Sequence, residues 1–410
     1  MSGESEQLDD TDSIYDELGV PPVINAASTK TRIGGSLIRP EAVEAMSRAA
    51  ESFVRISDLQ ARASELISEV TNAEAGYVAS GAAACLTLGT AACIAGEDLG
   101  TMSRLPHAGD APNEVVMPRS HRNGYDHAIR LAGARIVDVG NNDNHLGTGS
   151  KNTELWEIED AITEDTAAVA YMQKSYSQPD LSDVVDVAHE HDVPVIVDAA
   201  AELPPTRNLS RFIDEGADLV VFSGGKAIRG PQTTGILAGK QELIESAAMQ
   251  HLDMHVAEEV WEPPTDLIDL DRFGGVPRQG AGRPLKVGKE ELAGLIRAIE
   301  LFVEEDHDVR TREWADRAEL MADEFRDENG LTVTVTEGEK TAVAPEVFVR
   351  IDPDIAGIDA ETLVGELRRE NPRVFVGPDH LHESAFTVNP MCLTDDEAEY
   401  VAERIKLYLS

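Results

Sequence analysis

The sequence is poor in cysteine and in aromatic residues, and it has no long apolar run. Its three cysteines, Cys85, Cys93 and Cys392, form no C-x-x-C pair, so neither a disulfide framework nor a zinc cluster is expected. Aromatic residues make up 5% of the chain, so the core must consist mainly of Ala, Val, Leu and Ile. No apolar run approaches the ~20 residues of a membrane span, and the acidic N-terminus has no signal-peptide pattern. These absences predict a protein of the reducing cytoplasm.

Basic residues are also scarce: 35 Lys and Arg stand against 76 Asp and Glu, for a formal net charge of −41. Because phosphate contacts need Lys and Arg, neither nucleic acid nor an anionic membrane surface is expected as a partner. The simplest interpretation of the acidity is solubility. Its extent also suits a salt-loaded cytoplasm, in which counterions screen self-repulsion. We therefore expect a halophilic, haloarchaeal source and a protein that loosens at low salt.

Short apolar runs alternate with helix-like segments through the middle of the chain. The runs lie at 77–80, 113–117, 134–138, 166–171, 193–198, 219–223 and 234–238. Strands that alternate with helices predict an α/β fold with a seven-stranded, mostly parallel sheet flanked by helices. The gap before the last run is too short for a crossover helix. That strand is therefore predicted to be antiparallel to its neighbour.

The remaining sequence predicts a tail, an arm and a second, smaller domain. Residues 1 to about 13 are predicted to form a disordered acidic tail, and 21–40 to form a loop rich in Gly, Pro and small polar residues. From residue 286, long amphipathic helices precede interleaved strands and helices, which is typical of a small α+β domain. The predicted division is a tail and arm (1–40), a large domain (41–285) and a small C-terminal domain (286–410).

The segment DLVVFSGGKAIRGPQTTGILAG (218–239) places a lysine, Lys226, just after an apolar strand. A desolvated lysine loses its proton more readily and can act as a nucleophile. In VIVDAAAELPP, Asp198 ends another apolar strand, and ligands bind at the carboxyl ends of parallel strands. Taken alone, Lys226 could be an ordinary surface lysine and Asp198 an ordinary helix N-cap.

Two further segments follow strands of the same predicted sheet. In YVASGAAACLTLGTAA, Ser80, Gly81 and Ala82 open an Ala-rich helix, whose N-terminal N–H groups and dipole favour a phosphate. In PRSHRNGYDHAIRLAG, His121 could stack on a planar ring or act as an acid or base. The alternatives are an ordinary helix cap at Ser80 and a surface histidine at His121.

Together the four features predict a site for pyridoxal phosphate. This cofactor needs a lysine for a Schiff base, an acid that keeps its ring nitrogen protonated, an anion site for its phosphate and a flat neighbour for its ring. His189 and His191 are two positions apart, which does not suit one helix face, so no metal site is expected. No P-loop and no G-x-G-x-x-G segment follows a strand, which disfavours a nucleotide-binding enzyme of either type.

Several segments resemble one family of fold-type-I pyridoxal-phosphate enzymes. INAASTKTRIGGS, ASGAAA, VIVDAAAELPP, the lysine segment and GRPLKVGKEELAGLI are similar to the family of selenocysteine synthase (L-seryl-tRNA selenium transferase) and the D-glucosaminate-6-phosphate ammonia-lyases. The resemblance covers residues 20–300 well and the C-terminal part loosely. Because the chain shows no sizeable N-terminal domain and no basic surface for tRNA, selenium transfer is not expected.

The resemblance implies roles for individual residues and a homodimer or higher homo-oligomer, with the site between two subunits. The implied catalytic residues are Lys226, which binds the cofactor, Asp198, which pairs with the ring nitrogen, and His121. The implied cofactor-binding residues are Ser80, Gly81, Ala82, His121, Asp198, Ala200, Ser223 and Lys226, with Ala200 and His121 on the two ring faces. The candidate substrate-binding residues are Arg283, Arg32 and Arg229, each of which could equally be a solvated or interface arginine.

The resemblance also implies an activity, α,β-elimination from a β-hydroxy amino acid. The implied substrate is a 2-amino sugar acid, such as D-glucosaminate or its 6-phosphate, and the products are a 2-keto acid and ammonia. One alternative is another reaction of the same cofactor: aldol cleavage, racemisation, transamination or a selenium-transferase-like reaction. The other is a homologue that binds the cofactor without turnover.

Overall fold

The computed structural model describes residues 13–141, 152–252, 256–336 and 343–409. The predicted acidic tail lies, up to residue 12, outside these ranges. The chain divides into two units, Ile38–Glu305 and the combination of Met1–Leu37 with Asp306–Ser410. Each unit has its own buried apolar residues, which are described below for each unit separately.

The secondary-structure elements are numbered along the chain. The strands are β1 (Val23–Ala26), β2 (Ala75–Ala79), β3 (Glu114–Pro118), β4 (Arg135–Val139), β5 (Thr166–Met172), β6 (Val195–Asp198), β7 (Leu219–Ser223), β8 (Gly235–Gly239), β9 (Leu331–Thr336), β10 (Glu346–Ile351), β11 (Arg373–Val376) and β12 (Ala385–Val388). The helices are α1 (Ile14–Glu17), α2 (Pro40–Ala50), α3 (Ile56–Thr71), α4 (Ala82–Ala95), α5 (Leu99–Arg104), α6 (Asp126–Leu131), α7 (Leu155–Ala161), α8 (Leu181–His189), α9 (Asn208–Asp214), α10 (Gln241–Met249), α11 (Lys289–Glu304), α12 (His307–Arg326), α13 (Pro353–Ala356), α14 (Ala360–Leu367) and α15 (Asp395–Leu407).

The large unit, Ile38–Glu305, contains a seven-stranded sheet with the strand order β2-β8-β7-β6-β5-β3-β4. Neighbouring strands are parallel except at β8, which is antiparallel to both β7 and β2. The predicted seven-stranded, mostly parallel sheet is therefore confirmed. The antiparallel direction of β8 follows from its short connection to β7, which leaves no room for a crossover helix.

Helices cover both faces of this sheet. Along β7, Leu219 and Val221 join one apolar cluster, whereas Val220 and Phe222 join the other. This alternation follows from the two-residue period of a strand. Helix α4 contributes to the first cluster, and α3, α8 and α11 contribute to the second. Strands buried on both faces read as continuous apolar runs, which is why the sequence pattern predicts this sheet well.

The small unit contains a three-stranded antiparallel sheet, β12-β10-β9, and a two-stranded parallel sheet of β1 and β11. Helices α12, α14 and α15 provide most of the helical residues in its core. The prediction of a loop over 21–40 is wrong at β1, where Ile24 and Ala26 are buried and lie opposite Val374 and Val376. The strand has only four residues, too short a run for its apolar period to stand out.

The unit boundaries differ from the predicted domain boundaries. The predicted boundary at 285 assigns α11 to the small domain, but α11 packs against α2 and α3 within the large unit. The physical reason is its apolar face, on which Leu292, Leu295 and Ile299 join the second cluster. The arm belongs to the small unit up to Leu37. Within the described ranges, no helix combines the length and the apolar character needed to cross a bilayer.

Candidate active site

The candidate site lies at the carboxyl ends of strands β5, β6 and β7. These strands are parallel neighbours, so their last residues meet at one edge of the sheet. Asp198 is the last residue of β6 and lies opposite Val221 of β7. Lys226 follows the last residue of β7, Ser223, by three positions, in the loop 224–234 that leads to β8. Adjacent strands lie about 4.8 Å apart, so the two predicted residues are brought to the same edge.

The carboxylate of Asp198 is under opposing electrostatic influences. Its Oδ1 accepts a hydrogen bond from the backbone N–H of Ala200 at 3.1 Å. Burial raises the pKa of Asp198, whereas the Ala200 N–H and the ammonium groups of Lys226 and Lys174 act to lower it. A cation placed beside this carboxylate would stabilise its ionised form further. The protonated ring nitrogen of pyridoxal phosphate is such a cation.

The predicted phosphate site lies at the N-terminus of α4. Strand β2 ends at Ala79, and Ser80 and Gly81 turn the chain into α4, which begins at Ala82. Gly81 has a φ of +111°, a conformation that residues with a Cβ rarely adopt. The first N–H groups of a helix have no partner within the helix, so they and the positive end of its dipole can bind an anion. The first turn of α4 contains no acidic residue to oppose this.

A close approach of the neighbouring strand borders this turn. Gly235, the first residue of β8, pairs with Ala79 on one side and with Ser223 on the other. A Cβ added at Gly235 would lie 2.2 Å from the carbonyl carbon of Gly81 and 2.5 Å from the backbone nitrogen of Ala82. Because Ala79, Gly235 and Ser223 are paired side by side, the turn that follows β2 lies at the same sheet edge as the loop that carries Lys226. This turn contains the predicted phosphate contacts.

We expect Gly235→Ala to weaken cofactor binding about tenfold or more. The new methyl group must displace the backbone of the turn that precedes α4, because no flexible side chain can move away instead. The matched control is Gly274→Ala, where an added Cβ meets nothing within 4 Å. Titration of cofactor-free protein with pyridoxal phosphate, followed by visible absorbance, measures both affinities. Equal affinities for the two variants would contradict a phosphate site at this turn.

His121 lies in a short 3-10 turn after β3 and is buried. Its Nε2 donates to the Gln178 carbonyl at 3.1 Å, and its Nδ1 accepts the backbone N–H of Met172 at 3.4 Å. The ring meets Tyr171 edge to face, with centroids 4.6 Å apart. Burial lowers the pKa of His121 to about 4, although the hydrogen bond to Gln178 opposes this. Both ring nitrogens have backbone partners, and the acid–base role of His121 stays a prediction. Its contact with the cofactor ring stays a prediction.

The three predicted arginines occupy different settings. Arg229 lies in the loop after β7 with a φ of +58°. Arg283 is exposed and begins a 3-10 turn, whose Leu285 carbonyl accepts the backbone N–H of Ser80 at 3.0 Å. This turn therefore borders the N-terminus of α4. Arg32 is an exposed residue of the small unit. Substrate contacts of all three stay predictions, as do the cofactor contacts of Ala200 and Ser223.

A second lysine at this sheet edge was missed in the sequence. Lys174 lies two positions beyond the end of β5, and its Nζ donates to Oε1 of Glu202 at 2.6 Å. The preceding residue, Gln173, donates its backbone N–H to the carbonyl of Asp198 at 2.9 Å. The ion pair thus connects the loops that follow β5 and β6. The strand-end rule that identifies Asp198 applies equally to Lys174 and could have found it.

The chemistry of these groups fits pyridoxal phosphate. Lys226 supplies an amine for the aldehyde, and Asp198 supplies a carboxylate for the ring nitrogen. The N-terminus of α4 supplies N–H donors for the phosphate. All of them lie at one edge of one sheet, in the chain order that the sequence predicts. Among the residues that the structure describes, no three potential metal ligands lie together.

Comparisons with known proteins agree with this chemistry. The model of the class-V aminotransferase family matches residues 124–260. The chain is 31% identical to D-glucosaminate-6-phosphate ammonia lyase of Salmonella typhimurium, over 97% of this chain and 98% of that protein. It is also 31% identical to a 5'-C-glycyluridine monooxygenase-decarboxylase of a Streptomyces species, over 96% of this chain and 91% of that protein. An L-seryl-tRNA(Sec) selenium transferase of Clostridium perfringens is 28% identical, over 58% of this chain and 53% of that protein.

A solved structure extends the likeness to three dimensions. The structure of D-glucosaminate-6-phosphate ammonia-lyase matches with a TM-score of 0.78 at 29% identity, covering 97% of this chain and 98% of that chain. The likeness therefore includes almost the whole chain and is not confined to the lysine segment, which confirms the resemblance inferred from the motifs. The chain belongs to the family of fold-type-I pyridoxal-phosphate-dependent enzymes that contains D-glucosaminate-6-phosphate ammonia lyase.

Proposed function

We propose that this protein is a pyridoxal-phosphate-dependent ammonia-lyase that acts on a 2-amino sugar acid with a β-hydroxyl group, such as D-glucosaminate or its 6-phosphate. The observation that carries the proposal is the placement of Asp198 at the end of β6 and of Lys226 just beyond the end of the adjacent parallel strand β7. The full-length likeness to D-glucosaminate-6-phosphate ammonia lyase supports the choice of reaction and substrate class. The products would be a 2-keto acid and ammonia.

Each residue has a defined task in this reaction. When bound, pyridoxal phosphate supplies an electron-withdrawing ring that accepts the charge left at the substrate α-carbon. The neutral amine of Lys226 removes the α-proton, and the ionised carboxylate of Asp198 holds the proton on the ring nitrogen. The N–H groups in the first turn of α4, which begins at Ala82, would hold the phosphate, since the backbone N–H groups of Ser80 and Gly81 already donate to the carbonyls of Leu285 and Ala79.

The proton and atom balance closes without an oxidant. The α-proton passes to Lys226, and the β-hydroxyl leaves with one proton as water. The released enamine takes up a proton at its β-carbon and becomes an imine, which one water hydrolyses to a 2-keto acid and ammonia. One water is lost and one is consumed, so the net change is conversion of a 2-amino-3-hydroxy acid into a 3-deoxy-2-keto acid with release of ammonia, and no carbon–carbon bond changes.

The direct test is an assay of ammonia and 2-keto acid at high salt. We would incubate the holoenzyme with D-glucosaminate, with its 6-phosphate and with the 3-deoxy analogue that lacks the β-hydroxyl. We expect equal amounts of ammonia and keto acid from at least one of the first two and none from the analogue. Ammonia release from the analogue at the same rate would contradict elimination. No turnover of either sugar acid would contradict the substrate class.

The similarity to the 5'-C-glycyluridine monooxygenase-decarboxylase favours a second candidate, oxygen-dependent decarboxylation. Lys226 and Asp198 would serve that reaction with the same placement, because it too needs charge delocalised into the ring. The two candidates differ in what is consumed and released. Oxygen uptake with release of carbon dioxide from an amino acid would favour decarboxylation, whereas ammonia and keto acid under anaerobic conditions would favour the lyase.

We also propose that the protein forms a homodimer or a higher assembly of dimers. Phe53, in the connection between α2 and α3, is fully exposed at 104%, and its neighbour Val54 is 47% exposed. Phe53 and Val54 are adjacent exposed apolar side chains, and a subunit interface would bury both. We expect Phe53→Glu to shift the molecular mass measured by light scattering toward the monomer. Ile355→Glu, at a 63% exposed position of the other unit, is the control; a shift of both or of neither would contradict this interface.

The acidic composition supports a further proposal, that the protein works in the salt-rich cytoplasm of a halophile. The net charge of −41 causes self-repulsion that counterions screen. We expect the thermal unfolding midpoint to rise steadily with KCl concentration. A midpoint that stays flat or falls between low and multimolar salt would contradict the halophilic assignment. Cell fractionation of the source organism, with cytoplasmic and membrane markers, tests the location.

A further inference from the structure

The loop that carries Lys226 is tightly folded on itself. The backbone N–H of Gly224 donates to Thr234 at 2.9 Å, and that of Gly230 donates back to Gly224 at 2.9 Å. The backbone N–H of Arg229 donates to the carbonyl of Lys226 at 3.0 Å. Arg229 also has a φ of +58°, a left-handed conformation that is unfavourable for a residue with a side chain. The loop therefore needs contacts from outside to keep this shape.

Two of those contacts come from Arg39, the residue that precedes α2. Its Nε donates to the carbonyl of Ile228 at 3.1 Å, and its backbone N–H donates to the carbonyl of Arg229 at 3.0 Å. Two consecutive carbonyls of the loop are thus held by one residue. The second carbonyl belongs to Arg229, the residue with the unfavourable φ. Arg39 therefore contacts the loop at the position where the backbone conformation is least favourable.

Arg39 is itself fixed. It is only 8% exposed, and a buried guanidinium is stable only when it is paired. Its partner is the carboxylate of Glu305, which forms an ion pair with Nη2 and leaves Nε for Ile228. The planar guanidinium can make both contacts at once because its N–H groups point in fixed directions. A lysine at this position would offer one compact ammonium instead.

We propose that Arg39, held by Glu305, is a positioning residue for Lys226: it fixes the backbone of the loop so that the lysine amine meets the cofactor. Arg39 does not touch the reacting atoms and acts through Ile228 and Arg229. This role rests on the assignment of Lys226 as the cofactor lysine. Arg39 takes no part in the candidate site described above.

The test compares Arg39→Met with the wild type in cofactor-free protein. Hydrogen exchange of a peptide covering 224–231, followed by mass spectrometry, reports on the loop, and visible absorbance reports the rate at which Lys226 captures added pyridoxal phosphate. We expect loop exchange to be about tenfold faster and capture about tenfold slower, the loss that one charge-assisted hydrogen bond predicts. Peptides of α3 should exchange as in the wild type. Exchange raised throughout the unit, with normal capture by the folded protein, would show a merely structural role and overturn the proposal.

Three further variants keep the result decisive. Glu305→Gln retains an acceptor for Arg39 and should capture the cofactor faster than Arg39→Met. Arg62→Met removes an exposed arginine that pairs with Glu65 on α3, and should change neither measurement. If Arg39→Met does not fold, Arg39→Lys replaces it, and wild-type capture by that folded variant would overturn the proposal. Failure of the wild type itself to capture the cofactor would instead contradict the assignment of Lys226.

Discussion

Replacement of Lys226 by alanine is expected to lower turnover by about 10²–10⁴-fold or more, because it removes the group that transfers the α-proton. It also removes the amine to which the cofactor is joined, so the protein should lose the visible absorbance of bound, lysine-linked cofactor. The fold should be retained, since Lys226 lies in a loop and is partly exposed. Assays of ammonia release, absorbance spectra and circular dichroism on the same preparation measure the three expectations.

Lys226→Arg tests whether the positive charge of Lys226 or the reactivity of its amine is required. Arginine keeps the positive charge near Asp198 but stays protonated, so it can neither join the aldehyde nor accept the α-proton. We expect it to be as inactive as the alanine variant, and a small primary amine added to Lys226→Ala should restore part of the activity. Borohydride reduction of the wild type should attach the cofactor to the peptide that contains Lys226. Attachment to Lys174, the other lysine beside Asp198, would refute the assignment.

The largest expected loss of stability comes from a residue at the opposite edge of the same sheet. Asp218 precedes β7 and is fully buried. Its Oδ2 accepts the backbone N–H of Val195 at 2.7 Å and lies 2.8 Å from Nε2 of His189, while its Oδ1 lies 2.6 Å from Nζ of Lys240. One carboxylate therefore joins β6, β7, the end of α8 and the residue after β8. We expect Asp218→Ala to lower the free energy of unfolding by about 1–3 kcal/mol, because it leaves the buried N–H of Val195 without its acceptor, whereas the partly exposed Lys240 and His189 can turn to solvent.

Denaturant unfolding at constant high salt measures this loss. Asp186→Ala, at an exposed position of α8, is the matched control and should change the free energy of unfolding by about 0.5 kcal/mol or less. Asp218→Asn keeps one acceptor oxygen but replaces the other with an NH2 group. This group is a donor and cannot accept a hydrogen bond from Val195, His189 or Lys240. The variant should lose most of the same stability, and cofactor binding by the folded fraction should stay normal. A change of less than about 1 kcal/mol in Asp218→Ala would contradict the role of this carboxylate.

The large sheet could be predicted from sequence because most of its strands are apolar runs buried on both faces; the edge strand β4 is the exception among the seven. Even the direction of β8 followed from the length of the loop before it. The position of β1 could not be predicted in the same way. Only Ile24 and Ala26 of this strand are buried, and its pairing depends on β11, far along the chain. The sequence also could not show that α11 packs in the large unit, since the apolar face of a helix does not indicate which core the helix joins.

The site shows the same division between local and distant information. Lys226 and Asp198 each follow an apolar strand, so a local pattern identifies both. Lys174 obeys the same rule, but a single lysine after a strand carried no second signal until its pairing with Glu202 was known. Arg39 had no local signal at all. Its importance comes from Ile228, a residue that is distant in sequence and close only in the folded protein.

The pairing of β1 with β11 has a consequence for the order of events on the ribosome. Val23 leaves the exit tunnel long before Arg373, which lies opposite it, is synthesised. The large unit can therefore be complete while the nascent N-terminal strand still has an open edge. Such an edge can pair with strands of other chains. Translation that stalls between the two strands would thus leave each product with an unpaired, aggregation-prone strand edge.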